Sequence, residues 1–314
     1  MKVRVFRANA SPLLLAVDFC LFAAATVSAQ NFGGPLTPPP SAFNLGAPGP
    51  TMTTLAYIEP RTPITNVPPG GYQINTSGSY YLTANLTVSS GDAIDINASG
   101  VTLDLNGFNI TSDSSPASGT AIAFSGETGN ANITILNGHI VGGVYGGGTF
   151  FSDGPGFING IAPTGSYFNG DINIHVSGVS VSGCYGVGID LGYYYNSTIV
   201  ESCTVSTVGG DGILAGIVSR CEAINCGGIA IYAFTASDSV GVSLGDGTTA
   251  ISATIANNCF GEGEGNPGDG IHASIANGCI GDGNHDGYGI DAYIANSCNS
   301  YPDDSGIAYK YNMP

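Results

Sequence analysis

IANGC at residues 275–279 returns as IANSC at 294–298, and Asn258-Cys259 stands one interval earlier. A small or turn-forming residue followed by Cys marks Ser202-Cys203, Arg220-Cys221, Asn258-Cys259, Gly278-Cys279 and Ser297-Cys298. The spacings are 18, 38, 20 and 19 residues, so 38 reads as two intervals with an unmarked one between. Upstream, Asn106-Gly107, Asn137-Gly138 and Ser177-Gly178 fit the same anchor with Gly in place of Cys. A second ladder runs through Ile189, Ile213, Ile229, Ile271, Ile290 and Ile307, each preceded by Gly. Fixed-period self-similarity of this kind decides the architecture before any single residue does.

A unit of about 18 to 25 residues cannot bury its own apolar face, so successive copies must stack, each strand pairing with its equivalent about 4.8 Å away. In IDINASGVTLDLNGFNI (94–110) Ile and Leu alternate with Asp, Asn and Thr, as a wall with one buried face requires. Asn, Ser or Gly ahead of the anchor suits a sharp bend in the left-handed backbone region. The expected fold is all-β: a right-handed parallel β-helix of about eleven coils.

Composition agrees. The 314 residues include 49 Gly and no Trp, and only 9% are charged, a supply suited to short strands and tight turns. Lys2, Arg4 and Arg7, the apolar run from Leu13 to Ala25, and Val27-Ser28-Ala29 read as a secretory signal over 1–29. That run is too short for the roughly 20 residues that span a bilayer. Residues 30–54 are rich in Pro and Gly and read as a linker, and 55–314 as the repeat domain. The expected product is an exported, extracellular or envelope-associated monomer with no membrane span. Signal removal leaves three basic residues, Arg61, Arg220 and Lys310, against 22 acidic ones, a formal charge of −19. This excludes nucleic acid as a partner and disfavours polyanions unless a divalent cation bridges them.

The head segments IEPRTPI, SGSYYLTANLTV, DAIDI and VTLDLNGFNI resemble secreted bacterial β-helix-repeat proteins, and residues 55 to 314 resemble the pectin-lyase-like superfamily. The resemblance implies the fold and leaves activity open. Pectate lyases of this type use a basic residue with Asp-held calcium, and polygalacturonase-like members use an Asp trio with Gly-His-Gly and Arg-x-Lys. Neither set is present: Arg220 has no basic neighbour, His139 belongs to the turn ladder, and Asp303-Asp304 stands alone.

Three groups of residues remain as candidates. Aligning the Gly-Ile ladder sets His272, Asp291 and Ala308 on one outward row and Ser274, Tyr293 and Lys310 on the next. His272 and Asp291 are thus the candidate acid–base pair of a polysaccharide lyase or glycoside hydrolase; an incidental contact on a solvated row is the alternative. Asp282, Asn284 and Asp286, followed by Gly287, have the alternating oxygens of a calcium loop, but Tyr293 stands where an EF-hand needs Glu, and ordinary turns explain the same residues. Tyr193, Tyr194 and Tyr195, with Phe150 and Phe151 in a longer insertion that also holds Phe157, are candidates to stack on sugar rings; the alternative is that they pack on or inside the coils. Seven cysteines remain after signal removal. Cys203 and Cys221, and Cys259, Cys279 and Cys298, are expected as stacked neighbours, either bonded or simply filling an internal ladder. Cys184 and Cys226 are expected two coils apart, with Val208 between. Together these readings favour a surface or matrix module that binds carbohydrate without catalysis, over an enzyme or a calcium-stabilised spacer.

Overall fold

A computed structural model describes residues 61–124, 130–147, 150–151, 154–164, 172–192, 197–301 and 306–313. Chain contacts divide the sequence at Thr53, and every described residue belongs to the second unit, Thr54–Pro314. The expected signal and linker lie outside the described residues.

The described residues contain strands and turns and form a right-handed parallel solenoid of about eleven coils. Each coil has three walls. In the coil from Gly268, the strand Gly268–Asn277 supplies the first wall and bends into the second, and Ile280–Gly283 supplies the third. The first strand pairs in register with Thr248–Asn257 before it and Ile290–Asn296 after it, the third with Phe260–Gly263 and Asn299–Tyr301. Every apolar residue of the inner face therefore stacks on its equivalent: Ile213, Ile231, Ile251, Ile271 and Ile290 form one buried column.

The bend between second and third walls carries the sequence repeat. Asn137, Gly178, Ser202, Arg220, Asp238, Asn258, Gly278 and Ser297 all have φ between 49° and 63°. Asn and Gly tolerate this left-handed conformation best, and each of these eight coils spends one such residue there. The next residue points inward, giving a column of Val179, Cys203, Cys221, Ser239, Cys259, Cys279 and Cys298. Ser239 is the unmarked interval. Its hydroxyl donates to the Ser237 carbonyl at 2.7 Å, and Cys221, Cys259, Cys279 and Cys298 each donate Sγ–H to the carbonyl two residues back at 3.3 to 3.4 Å. Thiol and hydroxyl do the same work, closing the bend by satisfying an inward carbonyl.

Three register expectations are corrected. Gly178 is the left-handed residue of its coil and Val179 takes the inward place, because Ser177 pairs with Glu201 one position before the bend. The apolar column runs through Ile231 and Ile251 rather than Ile229: Ala fits ahead of the Ile as well as Gly does, and Gly228-Ile229 lies in the preceding corner. In the last coil Ile307 pairs with Ala292, two residues off the Gly-Ile alignment, which moves Ala308 away from Asp291 and sets Lys310 level with Ala295. Tyr309 instead meets Tyr293 edge-on, ring centroids 5.1 Å apart. As expected, Val208 pairs with Cys226, and the Gly209 amide donates to the Cys184 carbonyl. All seven described cysteines are unbonded thiols.

Candidate functional site

Outward residues of the first wall form rows along the solenoid axis. Tyr232, Ser252, His272 and Asp291 are register partners on four consecutive coils. Two residues on along each strand, past the inward alanines 253, 273 and 292, Thr254, Ser274 and Tyr293 again face out. Together they line an open groove of about 380 Å³. Its middle is built from short hydroxyl side chains, because Ser and Thr occupy the central coils. Tyrosines stand at either end: Tyr232 on one coil and, one outward row over, Tyr293 three strand spacings away along the axis, about 14 Å. Among the described residues lining it there is no lysine or arginine.

His272 Nδ1 lies 2.8 Å from Asp291 Oδ2, so the expected pair is brought together by its register. The His272 side chain is 58% exposed and that of Asp291 35%, which leaves both within reach of a bound molecule.

A second polar cluster was not expected. Glu201 Oε1 lies 3.0 Å from His175 Nε2, and Arg220 donates to Oε2 at 2.9 Å. Three consecutive coils are joined through one carboxylate, whose oxygens are both engaged. Arg220 also borders an open hollow of about 490 Å³ shared with Glu222 and Asp238.

Much of the acidity of the loops is spent on neighbouring coils. Asp92, Asp211, Asp246 and Asp269 each accept, through Oδ1, a backbone N–H of the following coil at 2.7 to 2.9 Å: Thr120, Ile229, Asn266 and Tyr288. Asn159 does likewise for Val187. Burial raises the carboxyls of Asp92 and Asp211 despite these bonds, and it raises Asp190 too. Of the three residues expected as a calcium loop, Asp282 lies on the strand Ile280–Gly283, in register with Glu262. Burial first, and the charges of Glu264 and Asp282 second, raise the Glu262 carboxyl. Asn284 Oδ1 accepts from the His285 amide, and its Nδ2 donates to the Glu264 carbonyl at 3.2 Å. Asp286 is exposed on the same turn. Among the described residues, no three His, Cys, Asp or Glu side chains are grouped to hold a metal ion.

The expected aromatic site is not carried further. Tyr193, Tyr194 and Tyr195 lie outside the described residues. Phe150–Phe151 forms a short antiparallel pair with Gly146–Gly147. Phe157 is fully buried in the core, as the packing alternative held. Tyr232 and Ser252 were missed; counting Ala-Ile beside Gly-Ile as a ladder mark would have aligned both with His272.

No family model and no curated protein matches the chain. Among solved structures, the crystal structure of the Dettilon tailspike protein is similar at 14% identity and a TM-score of 0.36, over 80% of this chain and 61% of that one. The chain thus spans less than two thirds of the tailspike's length, and a likeness at this level carries no functional argument. Among the described residues no helix is long and apolar enough to cross a membrane.

Proposed function

We propose that this chain is an exported solenoid that binds a neutral glycan in the first-wall groove, without cutting the glycosidic chain. The observation that carries this reading is the composition of the groove: tyrosines on coils about 14 Å apart along the axis, the hydroxyls of Ser252, Thr254 and Ser274 between them, and a single His–Asp pair among its described lining residues. Rings with a polar tip offer an apolar face to the C–H side of a sugar, while Ser, Thr and His exchange hydrogen bonds with its hydroxyls. Short side chains in the middle keep the floor low, so an extended chain can lie along the axis.

Charge selects the class of ligand. The formal charge of −17 and the absence of lysine or arginine from the described lining work against uronate or sulfated chains. Backbone cleavage by a carboxylate pair is not favoured, because Asp291 is the one carboxylate among the described residues lining the groove and glycoside hydrolysis uses two.

The test is retention on immobilised neutral and acidic polysaccharides, with calcium and again with chelator, while following new reducing ends and unsaturated products. The reading expects retention on a neutral polysaccharide, independent of calcium, with no new ends. Tyr232→Ala and Tyr293→Ala should each weaken retention. Retention confined to acidic polysaccharides would overturn it.

A further inference from the structure

Ser252, His272 and Asp291 hold the same outward position on three consecutive coils. The coils of Ser252 and Asp291 therefore lie on opposite sides of that of His272, each backbone one strand spacing away, about 4.8 Å. Asp291 Oδ2 accepts a hydrogen bond from His272 Nδ1–H across 2.8 Å. In the neutral ring this fixes the tautomer and leaves Nε2 as an acceptor. All three side chains line the one groove.

We propose that Ser252 is a nucleophile, His272 its general base and Asp291 the positioning carboxylate, and that together they transfer the acyl group of an O-acyl ester carried on a neutral sugar to water. The three roles are those of a serine acyl-transfer triad, which is recognised by geometry and not by order in the chain. The sugar half of the proposal rests on the reading of the groove as a glycan site.

The step balances without any redox partner. Ser252 Oγ bonds to the ester carbonyl carbon, its proton passes to His272 Nε2, and the carbonyl electron pair moves onto oxygen. As the carbonyl re-forms, the bond to the sugar oxygen breaks, and that oxygen leaves as an alcohol with the proton from His272. Water then attacks the acyl-serine by the same route, releasing a carboxylic acid and restoring Ser252. The hydroxyls of Thr254 and Ser274, lining the same groove, are the donors at hand for the transient oxyanion. Acyl release leaves an uncharged sugar, consistent with a groove that lacks lysine and arginine among its described lining residues.

The test uses the full mature chain and a fluorophosphonate probe, which phosphonylates activated serines as fluoride leaves. Modification is mapped by mass spectrometry, and acetate release from an O-acetylated neutral polysaccharide is followed beside it. The expected result is one label, at Ser252, with acetate release. Ser252→Ala should abolish both, and His272→Ala should slow both by about 100-fold or more. Asp291→Asn should slow labelling and shift the acid limb of its pH profile while leaving the melting temperature in place; a merely structural aspartate would move the melting temperature instead. An unlabelled wild type that is still retained on neutral polysaccharide would overturn the triad and leave the binding reading standing. Labelling at Ser252 with no retention on any polysaccharide would overturn the sugar ester.

Discussion

The first coils and the last coils reach the same architecture by opposite packing. Between residues 82 and 140 the interior is filled by large side chains, with Leu82, Leu86, Leu103, Leu105, Ile110, Ile133, Ile135 and Ile140 all fully buried or nearly so. Between 231 and 298 the inward columns are Ala, Cys and Gly around a single column of Ile, with Ser239, Ser243 and Leu244 as exceptions. There the third wall closes on the first: a Cβ on Gly261 would stand 2.4 Å from the Gly270 carbonyl oxygen and 2.6 Å from Ile271 Cγ1, and Gly281 faces Gly289 and Ile290 in the same way. A core of large residues tolerates coils of uneven length. Among the small ones the first-wall strands from Ile231 to Asn296 hold one register at 19 to 20 residues per coil, and the groove is built on those regular coils.

The two halves should therefore break differently. Leu103→Ala leaves a cavity among the large residues and is expected to cost about 2–5 kcal/mol in urea unfolding. Gly261→Ala adds one methyl group where backbone stands in the way, and is expected to cost about 1–3 kcal/mol. A neutral result for Gly261→Ala would show that the late coils are not closely packed. Cys279→Ser should cost less than about 1 kcal/mol, since Ser239 already closes an earlier bend of the same column with a hydroxyl, whereas Cys279→Leu overfills that column.

Acidity should act on both halves in the same direction. Asp92, Asp190, Asp211 and Glu262 have folded-state pKa values above their ordinary ones, burial being the first cause for each. A raised carboxyl binds its proton more readily in the folded chain. Its stabilising contribution is complete below the ordinary carboxyl pKa and is lost as pH rises through the raised folded value. Melting temperature should accordingly rise as pH falls from neutral toward the ordinary carboxyl range. Asp211→Asn keeps the acceptor for Ile229 and should diminish that rise. The smallest effect expected is from cations: calcium and magnesium should raise melting temperature alike and modestly, by screening Glu262 and Asp282, and a shift confined to calcium would instead favour a dedicated calcium loop.

The solenoid could be read from the sequence because the left-handed bend favours Asn, Gly and small polar residues and recurs coil after coil from Asn137 to Ser297, so IAN-x-C exposes the period directly. Errors arose where a residue could serve two positions. Gly178 looked like a filler and is a bend; Gly228-Ile229 looked like the first wall and lies in the corner before it. The His272–Asp291 pair was legible because an IAN copy begins three residues after each of them, at 275 and at 294, and fixes their register. Ser252 stands three residues ahead of a third copy, IANNC at 255–259, and was open to the same alignment; Tyr232 was not, since its coil reads TAS at 235–237 in place of IAN and carries Ala ahead of the column isoleucine. The inter-coil carboxylates Asp211, Asp246 and Asp269 were hidden for a different reason: Asp-Gly is common turn chemistry, and only packing reveals which N–H a carboxylate serves.

Retention of the Tyr232→Ala/Tyr293→Ala double variant on neutral polysaccharide, beside a Phe150→Ala/Phe151→Ala double variant, tests the account most directly. The account predicts that the first loses retention and the second keeps it, with both unchanged in melting temperature. Loss of retention in the Phe150 and Phe151 variant alone would move the glycan site away from the groove and contradict it.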